Sequence, residues 1–164
     1  MPQRFARNYQ DPELSTLVAR ICAALKTQSE GKPLSYSVDT GTFDRETLNA
    51  LAERMCDDGD FASALPIALH LTADSPRRSD YAFMAASCLQ RLGRHEPALA
   101  LFTASALSQE DNPAAWLRMG ECLKALGKPD EAIDALERSV ELARKDARHA
   151  PVQEAAQCVA STLY

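Results

Sequence analysis

The chain has 164 residues, enough for one domain with a real core but not for two large ones. Apolar residues make up 46% and charged residues 25%, and sparse aromatics and glycines beside abundant Ala, Leu and Glu favour helix. A formal net charge of −5, with no block of Lys or Arg, disfavours nucleic acid and anionic membranes as partners.

The first residues, MPQRFARNYQDPE, carry two Arg but no apolar stretch behind them, so no secretory signal is expected. The longest apolar runs, such as ICAAL at 21–25, are too short to span a bilayer, and a cytoplasmic protein is predicted. Residues 12–28 place Leu14, Leu17, Val18, Ile21 and Leu25 on one stripe, which predicts an amphipathic helix. That stripe can dock on the following repeat or meet its equivalent on a second copy. The connector SEGKPLSYSVDTGTFD (29–44) is rich in turn-forming residues and predicts an irregular link.

Three units follow in a strict 34-residue phase. Gly59, Gly93 and Gly127 share one register, and Ala64, Ala98 and Ala132 follow each Gly by five residues. Before each Gly runs a helical stripe: Leu48, Leu51, Ala52, Met55; Ala82, Ala85, Ala86, Leu89; Trp116, Met119, Gly120, Leu123. The Gly is expected to end a first helix in the left-handed conformation. The Ala after it is expected to begin a second helix where the two cross closely, opposite Ala52, Ala86 or Gly120. Such a pair cannot bury its own apolar face, so units stack. The period is that of the tetratricopeptide repeat. The expected fold is therefore all-α, three tandem repeats in a right-handed superhelix. A single domain spans 1–164, with the N-terminal helix at 12–28, repeats at 45–78, 79–112 and 113–146, and a capping helix at 151–163. Pro66 falls inside a second helix and should kink it, whereas Pro97 and Pro129 sit harmlessly near helix starts.

Catalysis finds little support. His70, His95 and His149 lack triad or metal spacing, and the HE at 95–96 has no second His four residues on. The five cysteines (Cys22, Cys56, Cys88, Cys122, Cys158) contain no CxxC, so they read as reduced packing residues rather than zinc ligands. Asp57 and Asp58 read as a solvated turn. No enzyme activity, metal or cofactor is predicted.

Binding is the natural use of stacked repeats, whose first helices line a surface that takes extended peptides. The inward positions are Asn49, Glu53 and Cys56; Phe83, Ser87 and Gln90; Leu117, Glu121 and Lys124. Phe83 and Leu117 are assigned to this groove because other residues already fill the buried stripe; the competing reading makes them core. Repeats that clamp the C-terminal carboxylate of heat-shock chaperones need a Lys/Asn/Arg pattern that Asn49, Glu53, Met84, Ala114 and Arg118 meet only at Arg118.

From residue 12 on, nearly all of the chain resembles the class II chaperones of bacterial type III secretion systems. The resemblance rests on DRETLNALAERMCDDGDF, YAFMAASCLQRLG and NPAAWLRMGECLKALGKPDEAIDALERSVELA, framed by an N-terminal helix and a capping helix. It implies a cytosolic protein that holds hydrophobic translocator proteins, taking an extended segment in its groove without ATP or cofactor. It also implies homodimerisation through Leu14, Leu17, Val18, Ile21 and Leu25, and in some members a transcriptional activator as a second partner. The family often has Tyr or Phe where Asn49, Glu53 and Cys56 stand, which predicts a differently shaped first anchor pocket. The alternative is a generic repeat scaffold that joins folded partners.

Overall fold

The computed structural model describes residues 44–109 and 111–163. These form seven α-helices and one 3-10 turn, with no strand among the described residues. They are α1 (Arg45–Asp57), α2 (Phe61–Asp74), α3 (Ser79–Arg91), α4 (His95–Ser108), α5 (Pro113–Ala125), α6 (Pro129–Ala143), the turn Ala147–His149 and α7 (Ala150–Ser161). The chain divides into two compact units, one ending at Ser75 and one beginning at Pro76. The expected helix at 12–28 and most of the connector lie outside the described residues.

In the first unit, α1 begins where the Asp44 carboxylate accepts the Thr47 N–H at 2.7 Å, satisfying one of the donors a helix start leaves open. That hydrogen bond holds the Asp44 carboxyl below its ordinary pKa. The stripe Leu48, Leu51, Ala52 and Met55 is buried, as its spacing predicts. Asp60 caps α2 by accepting from Ser63 N–H at 3.2 Å. The buried face of α2 carries Ala64, Ile67, Ala68 and Leu71, with His70 beside them. Pro66 lies inside α2, which continues as one helix through it. An exposed bond from Arg45 to Asp74 at 2.9 Å ties the start of α1 to the end of α2, and its exposure makes it worth little.

In the second unit, α3 pairs with α4, α5 with α6, and α7 closes on α6 and α5. Every first helix of the chain ends in the same way. Gly59, Gly93 and Gly127 have φ of 78°, 75° and 73°. The N–H of the residue after each Gly reaches back to the helix: Asp60 to Met55 at 2.8 Å, Arg94 to Leu89 at 2.8 Å, Lys128 to Leu123 at 3.0 Å. This Schellman arrangement closes carbonyls the helix cannot satisfy internally. A Cβ at these glycines would meet nothing within 4 Å, so backbone conformation, not space, demands Gly there.

At the crossings, space decides instead. Ala52, Ala64, Ala86, Ala98 and Ala132 are all 0% exposed. A Cβ on Gly120 would fall 2.6 Å from Leu136 Cγ, so the Leu136 side chain of α6 packs directly on the bare backbone of α5 there. A second device repeats with the same period. Ser105 Oγ donates to the Ser79 carbonyl at 3.3 Å, and Ser139 Oγ donates to the Pro113 carbonyl at 2.8 Å. Each buried hydroxyl clips the second helix of a pair to the start of the first and finds there the acceptor that its burial requires.

The stripes of α1 and α3 are buried throughout, but in α5 Trp116 and Met119 are only half-buried, while Gly120 and Leu123 are covered. Cys88 and Cys122 are buried packing residues and Cys56 is half-buried. Cys158 is exposed on α7, contrary to the packing role expected of it. The end cap runs Ala150–Ser161 behind its 3-10 turn, with Pro151 in the first helical turn, where its missing N–H costs nothing.

Candidate peptide-binding face

The nine inward positions fall in both units. On α1, Asn49 Nδ2 donates to Glu53 Oε1 at 2.9 Å, one turn apart, and Cys56 follows on the same side. These two polar side chains satisfy each other at the surface and leave no aromatic pocket on that helix face.

In the second unit, the first helices α3 and α5 and the cap α7 are neighbours. Phe83 is half-buried, its ring edge-on to the fully buried Phe102 at 5.3 Å and 69°. It therefore stands on the core with part of its surface open, a rigid apolar platform. Ser87 Oγ donates to the Phe83 carbonyl at 2.8 Å, within its own helix. Gln90 Nε2 crosses from α3 to α5 and donates to Glu121 Oε2 at 2.8 Å. Arg118 Nη1 donates to the same oxygen at 2.9 Å. Glu121 thus receives one neutral and one charged donor. Lys124, one turn further along α5, donates to Thr162 Oγ1 just past the end of α7.

Leu117 departs from its expected place in the groove. It is 6% exposed and packs in one cluster with Leu136 and Ala156, with Val152, Val159 and Leu163 around them. The capping helix covers it, so the competing core reading holds and Leu117 offers no open anchor. A filled stripe on α5 did not leave Leu117 open, because α7 closes on it, whereas α3 is followed by another first helix that leaves Phe83 partly open. Two contributors were missed. Arg118 could have been found from its i,i+3 spacing to Glu121. Thr162 carries no sequence signal, since its role depends on where α7 ends.

This face suits an extended chain: an apolar platform at one end and polar donors and acceptors at the other. Among the described residues no cluster of His, Cys, Asp or Glu could hold a metal ion. The Cys122 thiol is pushed up to about 11 by burial and by the neighbouring Glu121, so it stays protonated and is a poor nucleophile. Among the described residues no helix is long and apolar enough to cross a membrane.

Helix pairs in a 34-residue phase, each closed by a left-handed Gly and crossed at small residues, define a tetratricopeptide-type repeat protein. Residues 50–139, more than half of the chain, match the repeat family described as anaphase-promoting complex, cyclosome, subunit 3, and the chain belongs to that family. No curated protein sequence matches it. Among solved structures it is similar to PcrH, from Pseudomonas aeruginosa, in complex with the chaperone binding region of PopD. That likeness has 25% identity and a TM-score of 0.70, covering 79% of this chain and 94% of that one. PcrH in complex with the chaperone binding region of PopB is similar at 26% identity and a TM-score of 0.68, covering 76% and 98%. The type III secretion translocator chaperone SycD of Yersinia enterocolitica shares the fold at 20% identity and a TM-score of 0.70, covering 79% and 86%.

Proposed function

We propose that this protein is a chaperone of a bacterial type III secretion system. In this reading it holds an extended segment of hydrophobic translocator proteins on the face of its first helices and keeps them soluble for export. The observation that carries the reading is the likeness to PcrH, which is bound in those structures to the chaperone binding regions of PopD and PopB. The half-buried Phe83 and the polar row Gln90–Glu121–Arg118 support it, because they offer a peptide both an anchor surface and hydrogen-bonding groups. The protein works in the cytoplasm, uses no ATP or cofactor and catalyses nothing. Asn49, Glu53, Cys56, Phe83, Ser87, Gln90, Glu121 and Lys124 face the client. Affinity of roughly micromolar to nanomolar, about −8 to −12 kcal/mol, suits a cargo that must later be released.

The test is co-expression with the hydrophobic translocators of the same secretion system. A soluble complex is expected, lost on Phe83→Ala. A protein that never co-purifies with such a client, or that binds folded partners insensitively to Phe83→Ala, would instead be a generic scaffold. The proposal includes a homodimer joined through Leu14, Leu17, Val18, Ile21 and Leu25, and does not extend to a transcriptional activator. Charging the stripe with Leu17→Asp and Ile21→Asp should halve the mass measured by light scattering; an unchanged mass rejects that interface.

A further inference from the structure

The face of the second unit is not electrically neutral. Arg118, Glu121 and Lys124 stand three residues apart on α5, one stripe on a helix. Glu121, whose side chain is 26% exposed, is paired by Arg118 and further held by the Gln90 amide. Its charge is thereby compensated within the protein. Lys124 is different: among the described residues it makes no ion pair, and its ammonium rests on the hydroxyl of Thr162, a neutral acceptor. That hydroxyl in turn donates to the Val159 carbonyl at 2.6 Å. An ammonium has three donors, and a carboxylate adds to the hydrogen bond a Coulombic attraction that a neutral hydroxyl cannot supply. Of the three charges on this stripe, Lys124 is thus the one not paired within it, on a protein whose net charge is −5.

Resting on the chaperone reading above, we infer that Lys124 is a specificity-determining residue that takes an acidic side chain of the client, exchanging the Thr162 hydroxyl for a carboxylate. Geometry also sets its place in the client. Lys124 is equivalent to Gln90 in the repeat, and Gln90 follows Phe83 by seven residues, about 10 Å along the helix axis at 1.5 Å per residue. Moving from α3 to α5 adds one interhelical step of roughly 8–10 Å. An extended chain rising about 3.3 Å per residue spans that diagonal in about four residues. The client segment is thus an apolar anchor on Phe83 with an Asp or Glu about four residues away.

The probe is a set of fluorescent ten-residue peptides built from Pro and Leu, capped at both ends, with Glu, Gln or Lys substituted at each position in turn. Anisotropy titrations should find one position where Glu binds roughly three- to tenfold tighter than Gln, with Lys weaker still. Added salt should shrink that difference. Lys124→Glu should reverse the order and favour Lys, a gain that misfolding cannot imitate. Thr162→Val, which frees the ammonium, should leave Glu binding equal or tighter. Peptides that bind with no preference for charge, or a preference that survives Lys124→Glu, overturn the inference and leave the chaperone reading in place. A set in which nothing binds, with no translocator co-purifying, overturns both.

Discussion

Gly120 offers the sharpest test of how the repeats are packed. A Cβ at this position would lie 2.6 Å from Leu136 Cγ, 2.8 Å from its Cδ2 and 3.3 Å from the Ala132 carbonyl oxygen. Leu136 is 0% exposed and is packed with Leu117 and Ala156, so it cannot withdraw without disturbing α7. Inserting a methyl into a filled core costs about 1–3 kcal/mol. Ala is better than Gly inside a helix by about 1 kcal/mol, which opposes that cost. The balance for Gly120→Ala is a loss of about 1 kcal/mol, or roughly 2–4 °C in Tm for a chain of this size. The single Trp, Trp116, lies on the same helix, so urea unfolding followed by its fluorescence reads the affected unit directly. In a Leu136→Ala background both Leu136 contacts are gone and only the 3.3 Å approach to the Ala132 carbonyl remains, so Gly120→Ala should then stabilise by up to the helix-propensity gain. A variant that stabilises in both backgrounds would refute the close-contact argument.

Three further outcomes follow from burial. Ala98→Glu places a charge at a fully buried crossing of α3 and α4 and should cost roughly 3 kcal/mol or more; a thermal melt indistinguishable from wild type would reject the crossing. Burial lowers the pKa of His70 from its ordinary 6.5, with Asp74 partly opposing. The unfolded chain therefore takes up a proton first as pH falls, and stability present above pH 6.5 is lost through that value and on towards the lower folded pKa. His70→Gln should accordingly flatten the acid dependence of Tm below that pH, and an unchanged slope would contradict it. In native protein, alkylation mapped by mass spectrometry should modify the exposed Cys158 well before Cys122, whose thiol is buried and raised to about 11.

The framework was legible because it rests on single residues with single physical jobs. A left-handed turn calls for Gly, a close crossing calls for Ala or Gly, and both recur at one spacing that needs no tertiary knowledge to see. The buried stripes of α1 and α3 followed from the same periodicity. What escaped was interaction between residues distant in sequence. Ser105 and Ser139 also recur at 34 residues, yet a lone Ser in a helix does not announce that it bonds the first residue of the preceding helix. Cys158 read as a packing residue like Cys88 and Cys122, but it lies on an exposed position of α7.

The candidate face shows why repeat equivalence stops short of function. Phe83 and Leu117 occupy the same register, and the Phe remains half-open while the Leu is covered by α7. Gln90 and Lys124 are equivalent too, but one bonds Glu121 on the next repeat and the other bonds Thr162 on the cap. The difference lies in the following helix, not in the residues themselves. In a stack of repeats each binding position is completed by its successor, so the last position is completed by whatever closes the stack. Here the cap offers Lys124 a hydroxyl where the next repeat offers Gln90 a carboxylate. The closure is neutral, so Lys124 is left without the carboxylate partner that Gln90 has.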